Sequence, residues 1–189
     1  MEPSQSILFN NVKRLQFLEN LKLINVGQTD QTQLRLPPAS LFPTKLRKLT
    51  LSDTWLEWDD MSVLKQLKCL QVLKLKDNAF KGERWELNGG FPFLQVLCIE
   101  RANLVSWNAS GDHFPRLKHL HISCDKLEKI PIGLADIRSL QVMDLRNSTK
   151  SAAKSAREIQ AKKSKLQTAK SQKFELSVFP PDSDVQTAS

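Results

Sequence analysis

The chain has 189 residues, 40% of them apolar, and 28 Lys or Arg against 20 Asp or Glu give a net charge of +8. That length suits one sizeable domain, and the apolar share excludes a disordered polyelectrolyte. No run of about 18 apolar residues occurs, and Met1-Glu-Pro-Ser-Gln-Ser-Ile-Leu8 lacks the basic-then-apolar layout of a leader, so a cytoplasmic protein without a transmembrane segment is expected.

Residues 1–17 begin abruptly. Leu8, Val12 and Leu15 can form one helical stripe, but no polar cap is evident. They read as the incomplete N-terminal end of a longer array. From residue 18 a single template recurs, clearest in Leu70-Gln-Val-Leu-Lys-Leu-Lys-Asp-Asn-Ala-Phe80: leucine at the first, fourth and sixth places, asparagine at the ninth, a large apolar residue at the eleventh. Leu73 and Leu75 alternate with Lys74 and Lys76, the mark of a short strand with one face inward. Asn78 can satisfy the backbone where the chain leaves the strand.

The first leucines stand at 18, 46, 70, 94, 117 and 140, spaced by 28, 24, 24, 23 and 23 residues. Those intervals fall inside the roughly 20 to 29 of a leucine-rich repeat. The reading is an α/β leucine-rich-repeat solenoid: a curved parallel sheet on the concave side, helices and loops on the convex side, about six repeats over 18–149.

Between strands, Pro37-Pro38 blocks a helix in the long first interval. Phe42-Pro43, Phe91-Pro92 and Phe114-Pro115 each put an aromatic inside the turn and a proline before the next strand. Met61 to Leu67 and Ile132 to Ile137 read as helical, with Met61, Leu64 and Leu67 on one face. Trp55, Trp58, Trp85 and Trp107 follow strands and suit packing of convex loops, although an exposed Trp55 or Trp58 would be a binding anchor.

Residues 150–181 read as a C-terminal basic helix and capping strand. Asn147, Ser148 and Thr149 offer N-cap oxygens for a helix from Ser151 to about Ala169, with a narrow stripe of Ala152, Ala156, Ile159 and Leu166 and its lysines in water. Phe174 to Phe179 alternates as an edge strand that Pro180-Pro181 stops, and 182–189 form a flexible tail. The segment 150–173 carries eight Lys or Arg against Glu158 alone, so it holds most of the basicity. Peripheral membrane contact through it stays open, but no aromatic interleaves its lysines before Phe174, which argues against nucleic acid.

By alternation the third, fifth and seventh places face out of the sheet. They supply the candidate partner-binding face: Lys48, Thr50, Ser52, Lys74, Lys76, Cys98, Glu100, His119, His121, Ser123, Asp144 and Arg146. Both signs of charge mix there with imidazole and with Val72, Val96 and Val142, which fits protein better than phosphate. His119, His121, Cys98 and Cys124 match no ordinary zinc spacing, so no metal and no cofactor are expected. Cys69, Cys98 and Cys124 fall in different repeats and suggest no disulfide framework. No GxSxG, HExxH or Walker pattern is present, so no catalytic residue is assigned and the chain is not read as an enzyme.

The Leu46-Arg-Lys-Leu-Thr-Leu-Ser52 strand, Trp85-Glu-Leu87 with Phe91-Pro-Phe-Leu-Gln-Val-Leu97, His119-Leu-His-Ile122 and Leu127-Glu-Lys-Ile-Pro131 resemble the C-terminal repeats of late blight resistance protein homologues. Those are plant immune receptors of the coiled-coil, nucleotide-binding, leucine-rich-repeat class. The resemblance implies that the repeats recognise a pathogen effector or guarded host protein and hold the receptor's own nucleotide-binding domain inactive. It also implies a truncated form here, because neither the phosphate loop nor the coiled coil is in the sequence. The competing expectation is a free-standing repeat adaptor with a basic tail, not tied to immunity.

Overall fold

The computed structural model describes residues 11–12, 14–25, 35–166 and 173–180. Among the described residues seven strands form one parallel sheet: β1 (Asn20–Ile24), β2 (Lys48–Ser52), β4 (Val72–Lys76), β7 (Val96–Glu100), β9 (His119–Ser123), β10 (Val142–Arg146) and β11 (Glu175–Phe179), neighbours in that order. The short strands β3 (Leu56–Glu57) and β5 (Phe80–Lys81) pair with each other, as do β6 (Arg84–Glu86) and β8 (Ser106–Asn108). The architecture is α/β, dominated by the large parallel sheet.

The leucine template explains the register. Leu49, Leu73, Leu97, Leu120 and Met143, the fourth places, are direct partners across five strands. Leu51, Leu75, Ile99, Ile122 and Leu145, the sixth places, form the next row. All ten are buried. A one-residue slip of any strand would turn its apolar set to the other face, so this burial fixes the pairing. The backbone ladder also extends beyond the strands. The Arg47, Gln71, Gln95 and Lys118 carbonyls each accept two consecutive N–H groups from the following unit.

Chain direction changes at the eighth place, where Asp53, Asp77, Arg101 and Asn147 all have φ between 45° and 53°. Asp and Asn tolerate this left-handed region better than most residues, which suits three of the four positions. Thr54, at the ninth place of its unit, donates Oγ1 to the Ala79 carbonyl at 2.7 Å. This ninth-place side chain thus bonds the backbone of the neighbouring unit.

The return segments are less helical than the sequence suggests. Met61–Leu64 is a four-residue helix after the 3-10 turn Trp58–Asp60, and Leu134–Asp136 is only a 3-10 turn. Met61 and Leu64 are buried and Leu67 packs against the core, so the apolar face is as expected although the helix is short. Pro131 and Gly133 leave the second segment too little unbroken helix-forming sequence.

Aromatic rings fill much of this side. Trp58 stacks on Phe80 and Trp85 at 4.8 and 5.0 Å, Trp85 on Trp107 at 5.3 Å, and Phe91 on Phe114 at 5.8 Å between centroids. Such pairs contribute about 0.5–1.5 kcal/mol each beyond burial. That offsets part of the cost of the Trp85 and Trp107 indole N–H groups, buried without an acceptor among the described residues. Phe42, Phe91 and Phe114 are buried inside their turns, as the Phe-Pro pairs suggest. Trp55 is exposed.

At the C-terminal end, Lys150–Leu166 is an α-helix whose start is capped by Thr149: Oγ1 accepts the Ala152 N–H at 3.0 Å and donates to the Leu127 carbonyl at 2.6 Å. Ala152, Ala156 and Ile159 are buried as expected. Lys163 corrects the picture of lysines in water. It lies four residues past Ile159 on the same stripe, is buried, donates to the Ile137 carbonyl at 2.6 Å and sits 5.4 Å from the Phe174 ring centroid. Desolvation holds its ammonium below the usual lysine range. Ser155, also buried, accepts the Ile130 N–H and donates to the Ala152 carbonyl. β11 pairs with β10 and continues the sheet, with Leu176 and Val178 packed on the core.

Val12 is buried but Leu15 is exposed, so the proposed stripe does not continue through Leu15. Leu8, residues 26–34, the Leu166 side chain, residues 167–172 and 182–189 lie outside the described residues. Among the described residues no helix is long and apolar enough to cross a membrane.

Candidate functional site

The same register that buries the leucines aligns the opposite face. The fifth places form a row of direct partners, Thr50, Lys74, Cys98, His121 and Asp144. Ser52, Lys76, Glu100 and Ser123 form the seventh-place row, with Arg146 beyond them on β10. Lys48, Val72, Val96, His119 and Val142 form the third. The predicted face is thus brought together. It is not uniformly solvated: Thr50, Ser52 and Cys98 are buried, Lys48, Lys74, Lys76, Glu100, His121, Ser123 and Asp144 are half-buried, and His119 and Arg146 are exposed.

Burial at Thr50, Ser52 and Cys98 follows from small side chains lying between longer neighbours on a tight parallel ladder, where strands are about 4.8 Å apart. The longer side chains link across strands. Lys76 Nζ lies 2.8 Å from Glu100 Oε2, and the Cys98 thiol donates to Glu100 Oε1 at 3.0 Å. His121 Nε2 lies 3.7 Å from Glu100 Oε1, while His121 Nδ1 lies 3.0 Å from Asp144 Oδ2. Arg146 Nε then reaches Asp144 Oδ2 at 3.1 Å. One chain of polar contacts therefore runs from β4 to β10.

The electrostatics follow from those contacts. Burial acts to raise the Glu100 carboxyl, but hydrogen bonds from Cys98 and Lys76 win and hold it below the usual carboxylate range. The Glu100 hydrogen bond lifts Lys76 in return. Burial, with the Glu100 carboxylate beside it, pushes the Cys98 thiol up to about 12, so it is a thiol at neutral pH and a poor nucleophile. At the sheet margin Asp77 pairs with Arg101 and accepts from Ser52 Oγ at 3.0 Å. The Arg101 hydrogen bond is the main reason its carboxyl is lowered.

Of the four metal-type side chains weighed from sequence, the structure gathers only two. Cys124 is buried on the leucine side, 4.0 Å from the Ile99 carbonyl, and His119 is exposed on its own row. Cys98 and His121 do meet, and Glu100 joins them. Sequence reasoning placed Glu100 on the face but missed this role, although Cys98 and Glu100 stand two apart on one strand and so share a side.

No family model matches the chain. The chain is 37% identical over 127 residues to late blight resistance protein homolog R1B-13 of Solanum demissum, a match covering 65% of this chain and 11% of that protein. It is 35% identical over 147 residues to homolog R1B-12 of the same plant, covering 76% of this chain and 10% of that protein. The chain thus spans about a tenth of the length of these relatives.

Proposed function

This chain is related to the late blight resistance protein homologs, a plant disease-resistance relationship, and from that premise we propose that it is a leucine-rich-repeat recognition module. In this reading 18–149 is a repeat array curved about the polar face, and 150–181 caps its C-terminal end. The polar face contacts protein: a pathogen effector or guarded host protein, and in a resting receptor the nucleotide-binding domain of the same molecule. It acts by contact and needs no catalytic residue. The placement is cytoplasmic.

One observation carries this reading. Five strands share an invariant apolar pattern on one side, while the fifth places opposite are Thr, Lys, Cys, His and Asp. Packing demands the first row; nothing in packing demands five different polar groups in the second. Curved repeat surfaces present such rows to partners. The basic segment gives less support to a tail that sets location, since Lys163 is buried and Lys162 pairs with Asp136 at 2.9 Å.

The test is co-purification of the chain with the nucleotide-binding domain of a full-length relative. Lys48→Glu with Lys74→Glu should reduce recovery by about tenfold, since reversed charges on a binding face set like against like. Lys154→Glu, on the exposed side of the C-terminal helix, should not. Equal recovery of both variants would refute the assigned face.

A further inference from the structure

Cys98 Sγ, Glu100 Oε1 and His121 Nε2, three different donor atoms, lie within 4.8 Å of one another at the middle of the polar face. Asp144 Oδ2 lies 3.0 Å from His121 Nδ1 and so holds the ring with Nε2 turned toward Glu100. Nε2 then faces Glu100 Oε1 at 3.7 Å, too far for a hydrogen bond, and that oxygen already accepts from Cys98. A thiol sulfur, a carboxylate oxygen and an imidazole nitrogen thus converge on one small space. Asp144 Oδ1 is buried with no partner among the described residues.

We propose that Cys98 Sγ, Glu100 Oε1 and His121 Nε2 are the protein ligands of a divalent zinc-class ion, with Asp144 as the positioning residue that orients the imidazole. Sulfur, nitrogen and carboxylate oxygen together select zinc over magnesium or calcium, which take oxygen alone. In a tetrahedral site the metal bonds of about 2.0–2.3 Å would set the ligand atoms about 3.3–3.6 Å apart. The S···O separation is 3.0 Å, the O···N separation 3.7 Å and the three atoms lie within 4.8 Å of one another, so closing on a metal needs side-chain shifts of up to about 1.5 Å. Lys76 occupies Glu100 Oε2 and leaves Oε1 to the metal. The Asp144–His121 pair reproduces the carboxylate–histidine support common behind zinc ligands. Binding replaces the thiol proton by the ion: the S–H bond breaks, the S–metal bond forms with the same electron pair, and H⁺ leaves to solvent. Three protein ligands leave a fourth position open to water on the half-exposed side. This inference rests on the cluster itself and holds whether or not the face binds protein.

Titration of the chelator-stripped full chain with Zn²⁺, and separately with Co²⁺, tests it. The expected result is one equivalent of saturable uptake, release of a proton, and thiolate-to-cobalt absorption that Cys98→Ser and His121→Ala abolish. Asp144→Ala should weaken affinity about 10- to 100-fold without changing stoichiometry. Cys69→Ser and His119→Ala should leave uptake unchanged. Circular dichroism reports whether Cys98→Ser still folds; if it does not, His121→Ala and Asp144→Ala, altered on half-buried side chains, decide the matter. Absence of saturable uptake, uptake surviving in His121→Ala, or uptake lost in Cys69→Ser would overturn the site.

Discussion

The two faces of the parallel sheet are built by the same five strands yet obey different rules. On one, Leu49, Leu73, Leu97, Leu120 and Met143 repeat a single chemistry, because each must fill the same space against its neighbours. On the other, Thr50, Lys74, Cys98, His121 and Asp144 share only their position. The backbone ladder imposes geometry on both faces but composition on only one. Stability therefore resides in the repeated row, and the varied row is left to specify contacts.

The sharpest way to break this contrast is to make the repeated row behave like the varied one. Leu97→Asp puts an unpaired carboxylate where the native side chain is fully buried and should abolish the cooperative unfolding transition, since burying such a charge costs several kcal/mol. Far-UV circular dichroism reads that loss directly. Next in size is Thr149→Ala at the C-terminal end. It removes the cap on the Lys150–Leu166 helix and the bond to the Leu127 carbonyl, so a urea transition should show a loss of about 1–2 kcal/mol.

A smaller effect belongs to the sheet margin. Asp77 is lowered from its ordinary value of 3.8 in the folded chain, so it contributes stability above that value and loses the contribution as pH falls through the folded pKa. Asp77→Asn keeps a residue that tolerates the left-handed turn and removes the charge. It should cost less than about 1 kcal/mol at neutral pH, because Arg101 is largely exposed. The difference from the parent should close as the solution is acidified below pH 3.8, measured by urea unfolding across pH.

Local periodicity made much of this legible. Leucines that alternate with polar residues and restart every 23 or 24 positions announce strands, their inward face and their register, and the aligned rows of both faces follow. What the sequence hid depends on contacts between units. Lys163 reads as a solvated lysine until Ile137 and Phe174 close over it. Glu100 reads as one charge among several until the register brings His121 beside Cys98. The return segments read as helices because Met61, Leu64 and Leu67 have helical spacing, yet short parallel pairs and stacked Trp rings occupy much of that side. The left-handed turn at Arg101 was equally hidden, since that residue carries no turn signal of its own, unlike Asp53, Asp77 and Asn147.

The division between the faces is tested most directly by the urea unfolding free energy of Leu97→Ala set beside that of the double variant Lys48→Glu with Lys74→Glu. Leu97→Ala should lose about 2–5 kcal/mol through the cavity it leaves, while the double variant should stay within about 0.5 kcal/mol of the parent. Comparable losses in the two would contradict the account, because the polar row would then be holding the sheet together.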